Sequence, residues 1–180
     1  MDAQTSAANR VGRWGVLLAA IVLVGASAPG MRAGQQLTLA DVERFVVGTW
    51  ALAEWHENGK VLAPPTISGR WQLHDGQAMS IYHRDTDGIA WDQYSYGTYS
   101  TDQAGWTYGW DRRLEVTRKA GGEATVVQTQ TPYTRFTPRM DGQTLVLDYN
   151  NGERSFRFSK DEYVYIVSGQ ILRKWRRVRG

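Results

Sequence analysis

The chain has 180 residues, contains no cysteine, and balances 21 Lys and Arg residues against 18 Asp and Glu residues, which gives a formal net charge of +3 at pH 7. Without cysteine the fold has no disulfide bonds and no lipid-modified cysteine, so it must rest on its hydrophobic core. Nucleic-acid-binding domains concentrate basic residues on one face, and so small a net charge predicts no nucleic-acid partner.

The first 33 residues have the pattern of a secretory signal peptide. Arg10 and Arg13 precede an apolar run over residues 14–24, and small residues follow at 25–30. This run makes about 16 Å of helix at ~1.5 Å per residue, roughly half of the ~30 Å hydrocarbon core, so no stable membrane span is expected after cleavage. We therefore predict a signal peptide over residues 1–33 and a periplasmic or secreted protein. The exact cleavage point stays open.

Removal of the predicted signal peptide would leave only a small excess of basic over acidic residues. Loss of residues 1–33 removes three arginines and one aspartate, which lowers the net charge from +3 to +1. The remaining basic cluster consists of Arg173, Lys174, Arg176, Arg177 and Arg179. We interpret it as an exposed, charged edge strand, since basic side chains commonly protect a sheet edge from pairing.

A short helix is predicted ahead of the first strand, over residues 37–45. Thr38 suits the N-cap position, and Asp41 and Glu43 place negative charge early in the helix. The apolar residues that share one side are Leu39, Val42 and Phe45. We expect this helix to close one end of a barrel.

From residue 46 onward, turn sequences separate segments that alternate polar and apolar residues. Asn-Gly and Asp-Gly pairs, which supply the positive φ angles of tight hairpins, occur at 58–59, 75–76, 87–88, 141–142 and 151–152. The segments between turns predict strands over residues 46–56, 69–74, 78–84, 89–100, 106–118, 124–136, 144–149, 154–159, 162–167 and 170–178. No linker interrupts them, so residues 37–180 are predicted to form one domain.

These strands predict an antiparallel meander, which at this length usually closes because an open sheet leaves its edges exposed. Aromatic residues are dense in the middle hairpin, with seven Trp and Tyr residues between positions 91 and 110. A barrel with a hydrophobic lumen accommodates such residues inside and a few amphipathic ones outside. The sequence therefore predicts an all-β fold: a single antiparallel up-and-down β-barrel of eight to ten strands with a short N-terminal helix.

The two end strands of this meander resemble those of lipocalins and fatty-acid-binding proteins. The first contains Gly48-Thr49-Trp50, similar to the Gly-x-Trp opening of these families. The last contains Arg173-Lys174-Trp175, similar to a final strand whose arginine and aromatic residue face the lumen. Residues 96–99 and 135–147 also resemble the bacterial lipocalin-like domain family. The resemblance covers about residues 45–178 and indicates a lipocalin-like domain of the calycin superfamily.

The resemblance implies two alternative roles for Arg173. In lipocalins a late arginine stacks on the first-strand tryptophan and closes the barrel base, which would make Gly48, Trp50 and Arg173 the barrel closure. In fatty-acid-binding proteins the corresponding pair holds a ligand carboxylate, which would make Arg173 and Trp175 ligand-binding residues. The sequence leaves both roles open.

The first strand offers two titratable candidates for a site at the other end of the lumen. Strict alternation from Trp50 points Leu52, Glu54 and His56 inward. Glu54 and His56 could then bind a polar head group or act as an acid–base pair, because burial and a neighbouring charge move pKa values toward neutrality. The alternative is that both lie on the solvated rim of the strand.

The sequence contains no motif for a metal, a cofactor or a nucleophile. The three histidines, His56, His74 and His83, have spacings of 18 and 9 residues, which match no metal-ligand motif. Gly-x-Ser-x-Gly, a phosphate-binding glycine loop and His-Glu-x-x-His are all missing from the sequence. We therefore predict no metal and no cofactor, and an enzyme is the less favoured interpretation.

Most candidates for the wall of a ligand pocket are aromatic: Trp71, Tyr82, Trp91, Trp106, Tyr108, Trp110 and Phe158. Together with Arg173 and Trp175 they predict that a small hydrophobic or amphipathic molecule binds in the lumen. One alternative is a calycin-type isomerase, cyclase or hydratase that uses the lumen as its active site. Another is an inhibitor-like barrel that binds a protein. The oligomeric state stays open.

Overall fold

The computed structural model describes residues 37–179, so the predicted signal peptide over residues 1–33 lies outside the described part and stays a prediction. Within that part, one helix precedes eleven strands. They are α1 (Leu39–Val46), β1 (Gly48–Glu57), β2 (Lys60–Leu62), β3 (Ile67–His74), β4 (Gln77–Thr86), β5 (Ile89–Asp102), β6 (Gly105–Lys119), β7 (Thr125–Asp141), β8 (Thr144–Tyr149), β9 (Arg154–Phe158), β10 (Glu162–Val167) and β11 (Gln170–Arg177). Each of the ten predicted strands corresponds to one of these, and β2 was not predicted.

Ten of the strands form a closed barrel. From β3 to β11 each strand pairs antiparallel with the next, β1 pairs with β3, and β11 returns to pair with β1. The short β2 forms a hairpin with β1 and stands outside this ring. The prediction of an all-β, antiparallel, up-and-down barrel with a short N-terminal helix is therefore confirmed. No helix within residues 37–179 is long and apolar enough to cross a membrane.

Closure of the barrel changes the interpretation of the basic C-terminal cluster. β11 has a neighbour on each side, β10 and β1, so it is not an edge strand and the earlier interpretation is wrong. Side chains alternate along the strand, and Trp175 is fully buried. Arg173 and Arg177 share its face and point into the barrel, whereas Lys174 and Arg176 lie on the other face.

The helix α1 packs against one end of the barrel. Its N-cap, Thr38, exchanges hydrogen bonds with Asp41: Asp41 N donates to Thr38 Oγ1 (3.2 Å), and Thr38 N donates to Asp41 Oδ2 (3.1 Å). Val42 and Val46 are fully buried in the same core as Trp50, while Leu39 is 43% exposed. The buried face is therefore centred on Val42 and Val46, four residues apart, with Phe45 partly buried beside it, rather than on Leu39, Val42 and Phe45 as predicted.

The wall of the barrel is uneven in height. β5, β6 and β7 have 14, 15 and 17 residues, whereas β8, β9 and β10 have only 6, 5 and 6. Consequently β7 pairs with β8 only over Thr137–Asp141, and its first part extends past the shorter strands. The end occupied by α1 is called the closed end below, and the opposite end is called the mouth.

Candidate ligand-binding site in the barrel lumen

At the closed end, Trp50 is covered by an arginine from the last strand. The Arg177 guanidinium lies over the indole, with its Cζ atom 4.1 Å from the ring centroid. It donates hydrogen bonds to the carbonyl oxygens of Val47 (2.6 Å), Phe45 (2.6 Å) and Lys160 (3.0 Å). Burial lowers the pKa of Arg177 because the cation loses hydrating water. The three carbonyl oxygens replace part of that hydration.

Gly48 leaves room for this arginine. Its φ angle is +139°, a conformation that favours glycine, and a Cβ atom there would lie 2.7 Å from Arg177 Nη1. The register places Trp50 opposite Arg177 rather than Arg173. The arginine that closes the barrel is therefore Arg177, and the alternative that assigned this position to Arg173 is corrected.

A β-bulge in β1 decides which side chains enter the lumen. The register with β11 shifts between Leu52 and Glu54, so that Trp55 lies opposite Arg173. Trp55 then packs inside the mouth against Tyr82 and Trp91, with ring centroids 5.4 and 6.0 Å away. The bulge thus turns Trp55 inward, whereas strict alternation had assigned inward positions to Glu54 and His56.

Glu54 and His56 lie on the outer face as a result, not in the lumen. Lys174 Nζ lies 2.9 Å from Glu54 Oε2, and His56 Nε2 lies 2.8 Å from the same oxygen. Two hydrogen bonds hold the pKa of Glu54 below its usual value, and the one from Lys174 has a larger effect than the one with His56. The pair therefore belongs to a surface ion cluster, and the inward orientation predicted for both is corrected.

A cavity of about 200 Å³ lies among the inward side chains. The predicted wall residues that line it are Trp71, Tyr82, Tyr108, Trp110, Arg173 and Trp175. The sequence did not single out several others, namely Gln93, Arg113, Arg154, Phe156, Tyr163 and Tyr165. The cavity thus combines an aromatic wall with three guanidinium groups.

Three predicted wall residues lie elsewhere. Trp91 lines a separate hollow at the rim of the mouth, together with Glu57 and Arg84. Trp106 is fully buried and stacks on Tyr108 with ring centroids 5.1 Å apart. Phe158 is also fully buried and packs against Trp50, so Trp106 and Phe158 belong to the core.

Arg173 is the least compensated of the three arginines in the cavity wall. Its Cζ atom lies 3.7 Å from the centroid of the Trp55 ring. Its Nε atom is buried, and no hydrogen-bond partner for it is found in the described part of the chain. Buried donors are nearly always hydrogen-bonded in folded proteins, so this position calls for an acceptor.

The other two guanidinium groups are better held. Arg113 Nη2 donates to Gln93 Oε1. Arg113 Nε is buried and, like Arg173 Nε, makes no hydrogen bond in the described part of the chain, but it lies 3.1 Å from the carboxylate oxygen Glu115 Oε1, whereas Arg173 has no such ion pair within that part. Arg154 stacks over Tyr149, with its Cζ atom 4.2 Å from the ring centroid. Both border the cavity, and the charge of Arg154, which has no ion-pair partner among the described residues, adds to that of Arg173.

The cavity is electropositive. Its lining residues within the described range include three arginines and neither aspartate nor glutamate. Burial raises the pKa values of Tyr82, Tyr108 and Tyr163, so their hydroxyl groups stay neutral at ordinary pH. Of the three arginines, Arg113 is paired with Glu115, whereas the other two form no ion pair among residues 37–179. Neutral hydroxyls and these two guanidinium groups together favour an anion.

The histidines are dispersed over the barrel. His56 contacts Glu54, His74 lies 3.3 Å from Asp75, and His83 contacts Asp92. Among residues 37–179, no group of three or more His, Asp and Glu side chains is arranged to hold a metal ion. The described residues therefore contain no candidate metal centre.

Alternation along neighbouring strands could have found one of the two missed arginines. Arg154 follows from counting back by two from the buried Phe158 and Phe156. Arg113 does not, because the register of β6 against β7 shifts between Tyr108 and Trp110 and again between Trp110 and Arg113. Strict alternation from Trp110 would have pointed Arg112 inward instead of Arg113.

Comparisons with protein-family models, with curated proteins and with solved structures find no match. The closed ten-strand antiparallel barrel is consistent with a calycin-like fold. The geometry of the lumen is therefore the basis for a functional proposal.

Proposed function

We propose that this chain is a lipocalin-like binding protein that holds a small amphipathic acid, an aromatic or short-chain carboxylate, in the barrel lumen. The observation that carries the proposal is the state of Arg173. Its guanidinium borders a cavity whose described lining has no carboxylate, and its buried Nε atom has no partner within residues 37–179. A carboxylate oxygen would supply the missing acceptor.

Arginine recognises a carboxylate through two parallel hydrogen bonds, and such charge-assisted bonds are roughly twice as strong as neutral ones. Arg154 borders the same cavity without an ion-pair partner among the described residues and adds positive charge to that site. Trp71, Tyr108 and Trp175 form an apolar wall against which the rest of the ligand would pack. The ligand is therefore expected to carry its charge at one end.

The volume of the cavity limits the size of the ligand. A cavity of about 150 Å³ accommodates benzene in an engineered protein. The 200 Å³ available here suits a single ring or a short chain and is small for a long fatty acid. The proposed class of ligand is therefore narrower than the small hydrophobic or amphipathic molecule that the sequence predicted.

Two sequence features support the wider setting of this proposal. The Gly48-x-Trp50 opening, whose tryptophan is covered by an arginine of the last strand, supports a place in the calycin superfamily. The pattern of residues 1–33 supports export to the periplasm or the cell exterior. A soluble acid-binding protein in that compartment would meet small carboxylates from the surroundings.

Calorimetric titration of residues 34–180 with matched small molecules tests the proposal. The acids are benzoate, phenylacetate and hexanoate, the neutral analogues are benzyl alcohol and hexanol, and benzylamine is the cationic analogue. We expect the acids to bind, the alcohols to bind about tenfold more weakly, and the amine not to bind. Because Trp71, Trp110 and Trp175 line the cavity, binding should also change the tryptophan fluorescence.

The matched variants are Arg173→Met and Arg70→Met. Arg70 is an exposed arginine on the outer face of β3 and serves as the control for loss of one positive charge. We expect Arg173→Met to weaken acid binding by about 10- to 100-fold, since a hydrogen bond to a charged group contributes roughly 1.5–3 kcal/mol. Equal affinity for alcohols and acids, or unchanged acid binding by Arg173→Met, would contradict the proposal.

A further inference from the structure

The first part of β7 has a free edge along the taller side of the barrel. Residues 125–131 pair with β6, whereas the pairing of β7 with β8 begins only at Thr137. Within the described chain, the backbone of residues 125–131 therefore has a strand partner on one side only. All residues from 125 to 130 are exposed, as expected for a segment with open space beside it.

The composition of this edge favours pairing with another strand. Residues 125–131 read Thr-Val-Val-Gln-Thr-Gln-Thr, in which five of the seven residues are β-branched and none is charged. Val126 and Val127 are 57% and 48% exposed. Protein edges are usually protected by charged residues, bulges or proline. The nearest charged residue and proline here, Glu123 and Pro132, flank the segment. The register shift opposite Gln130 places its extra residue in β6 rather than in this edge. The segment itself carries no protection against strand addition.

We propose that a second copy of this chain pairs with the edge, so that the 125–131 segments of two barrels join antiparallel about a two-fold axis. Such an interface is isologous, which means that one segment must be complementary to itself. Antiparallel pairing centred on Gln128 places Val126 opposite the second copy's Gln130 and Val127 opposite its Thr129. The four-strand wall β4–β7 of each copy then continues into the same wall of the other.

The distribution of charge around the segment favours this self-pairing. Residues 124–134 contain no ionisable acid or base other than Tyr133, so no like charges face each other across the two-fold axis. The first charged residues beyond the two ends are Glu123 and Arg135, which have opposite signs. Antiparallel pairing about Gln128 brings Glu123 of each copy within two positions of Arg135 of the other. Arg135 already forms an ion pair with Asp102 of its own chain (Nη2–Oδ2 2.8 Å), so the end charges add little. It is the lack of like charges within residues 124–134 that favours the self-pairing.

Sedimentation equilibrium and amide hydrogen exchange over a concentration series test the interface, and neither measurement requires a ligand. We expect a reversible monomer–dimer equilibrium, with slower exchange of the residue 125–131 amides as the concentration rises. The variants are Gln128→Lys and Gln128→Glu, each of which places like charges close together at the two-fold axis. Each alone should weaken the dimer by about tenfold. A mixture of the two should recover it as a heterodimer.

The control is Gln72→Lys, an exposed substitution on β3, which is paired with β1 and β4 at this position. It should leave the dimer unchanged. The inference is overturned if the protein is monomeric at every concentration, or if the mixture of charged variants forms no heterodimer. Some amides of residues 125–131 donate to β6 and are protected in the monomer. The inference is also overturned if the remaining amides of this segment, which point away from β6, are protected independently of concentration, since a strand from residues 1–36 would then cover the edge.

Discussion

The two ends of the barrel each carry an arginine from β11 over a tryptophan from β1, and the two pairs differ in how the arginine is satisfied. Arg177 lies 4.1 Å from the Trp50 centroid and donates to three carbonyl oxygens. Arg173 lies 3.7 Å from the Trp55 centroid, and its Nε atom has no partner among the described residues. The same two residue types therefore close the barrel at one end and leave a buried donor without a partner in the described chain at the other.

The likeness of the two pairs depends on one inserted residue. The two arginines are four positions apart in β11, whereas the two tryptophans are five positions apart in β1. The bulge between Leu52 and Glu54 absorbs the extra residue and keeps both tryptophans on the lumen side. The two pairs contain the same residue types, but the hydrogen-bond partners of their arginines differ. Those partners, and not the residue types, distinguish the two ends of the barrel.

The largest effect is expected from Arg177→Met at the closed end. The substitution leaves the carbonyl groups of Phe45 and Val47, which are shielded from water in part, and the exposed carbonyl of Lys160 without their donor, and acceptors that are shielded from water and lack a partner are costly. We expect the free energy of unfolding in urea to fall by about 3 kcal/mol. Arg157→Met, at an exposed position of β9, is the control and should change it by less than about 0.5 kcal/mol.

Equal stability of Arg177→Met and Arg157→Met would remove the distinction between the two ends. It would mean that the stacking on Trp50 and the three hydrogen bonds add nothing beyond solvation of the guanidinium. The closed end would then depend on apolar packing of α1 alone.

The outer wall near the mouth is stabilised by an ion cluster instead. Asp92 Oδ1 lies 2.7 Å from His83 Nδ1, and Asp92 Oδ2 accepts a hydrogen bond from Arg118 Nη1 (2.6 Å). Two hydrogen bonds, the stronger effect coming from His83 and the weaker from Arg118, hold the pKa of Asp92 below its usual value of 3.8. A carboxyl with a lowered pKa in the folded state stabilises the fold above its unfolded pKa, and this contribution disappears as the pH falls through the folded value.

We therefore expect Asp92→Asn to lose about 1.5 kcal/mol of unfolding free energy at pH 7. The gap to the wild type should narrow below about pH 4, since protonation of Asp92 then removes the same interactions from the wild type. Urea unfolding at pH 7 and pH 3 measures both values. A gap that is the same at the two pH values would show that Asp92 acts through packing rather than charge.

A smaller effect is expected from Thr38→Ala at the start of α1. The substitution removes the side-chain oxygen that accepts from Asp41 N, and loss of an N-cap typically costs about 1 kcal/mol. Thr38→Ser retains the oxygen and is the matched control, which should stay within a few tenths of a kcal/mol of the wild type. If both variants unfold like the wild type in urea, α1 is held by Val42 and Val46 alone.

The sequence predicted the strands and turns because these signals are local. Alternating side chains and Asn-Gly or Asp-Gly pairs mark each hairpin within a few residues, and all ten predicted strands exist. The bulges were not predicted, because a bulge depends on which strand lies alongside. One inserted residue exchanges the two faces of a strand, which is why Trp55 rather than Glu54 enters the lumen, and Arg113 rather than Arg112 borders the cavity.

The smallest change in stability is expected from Arg173→Met, the counterpart of Arg177→Met. The substitution loses the contact with the Trp55 ring, which contributes about 1 kcal/mol, and removes a buried donor whose partner is not found in the described chain. Replacement of a poorly compensated buried charge by an apolar side chain of similar length is often neutral, so we expect the unfolding free energy in urea to change by less than about 1 kcal/mol. A loss as large as that of Arg177→Met would make Arg173 a second structural arginine, whereas weak acid binding by a fully stable variant would separate the two roles.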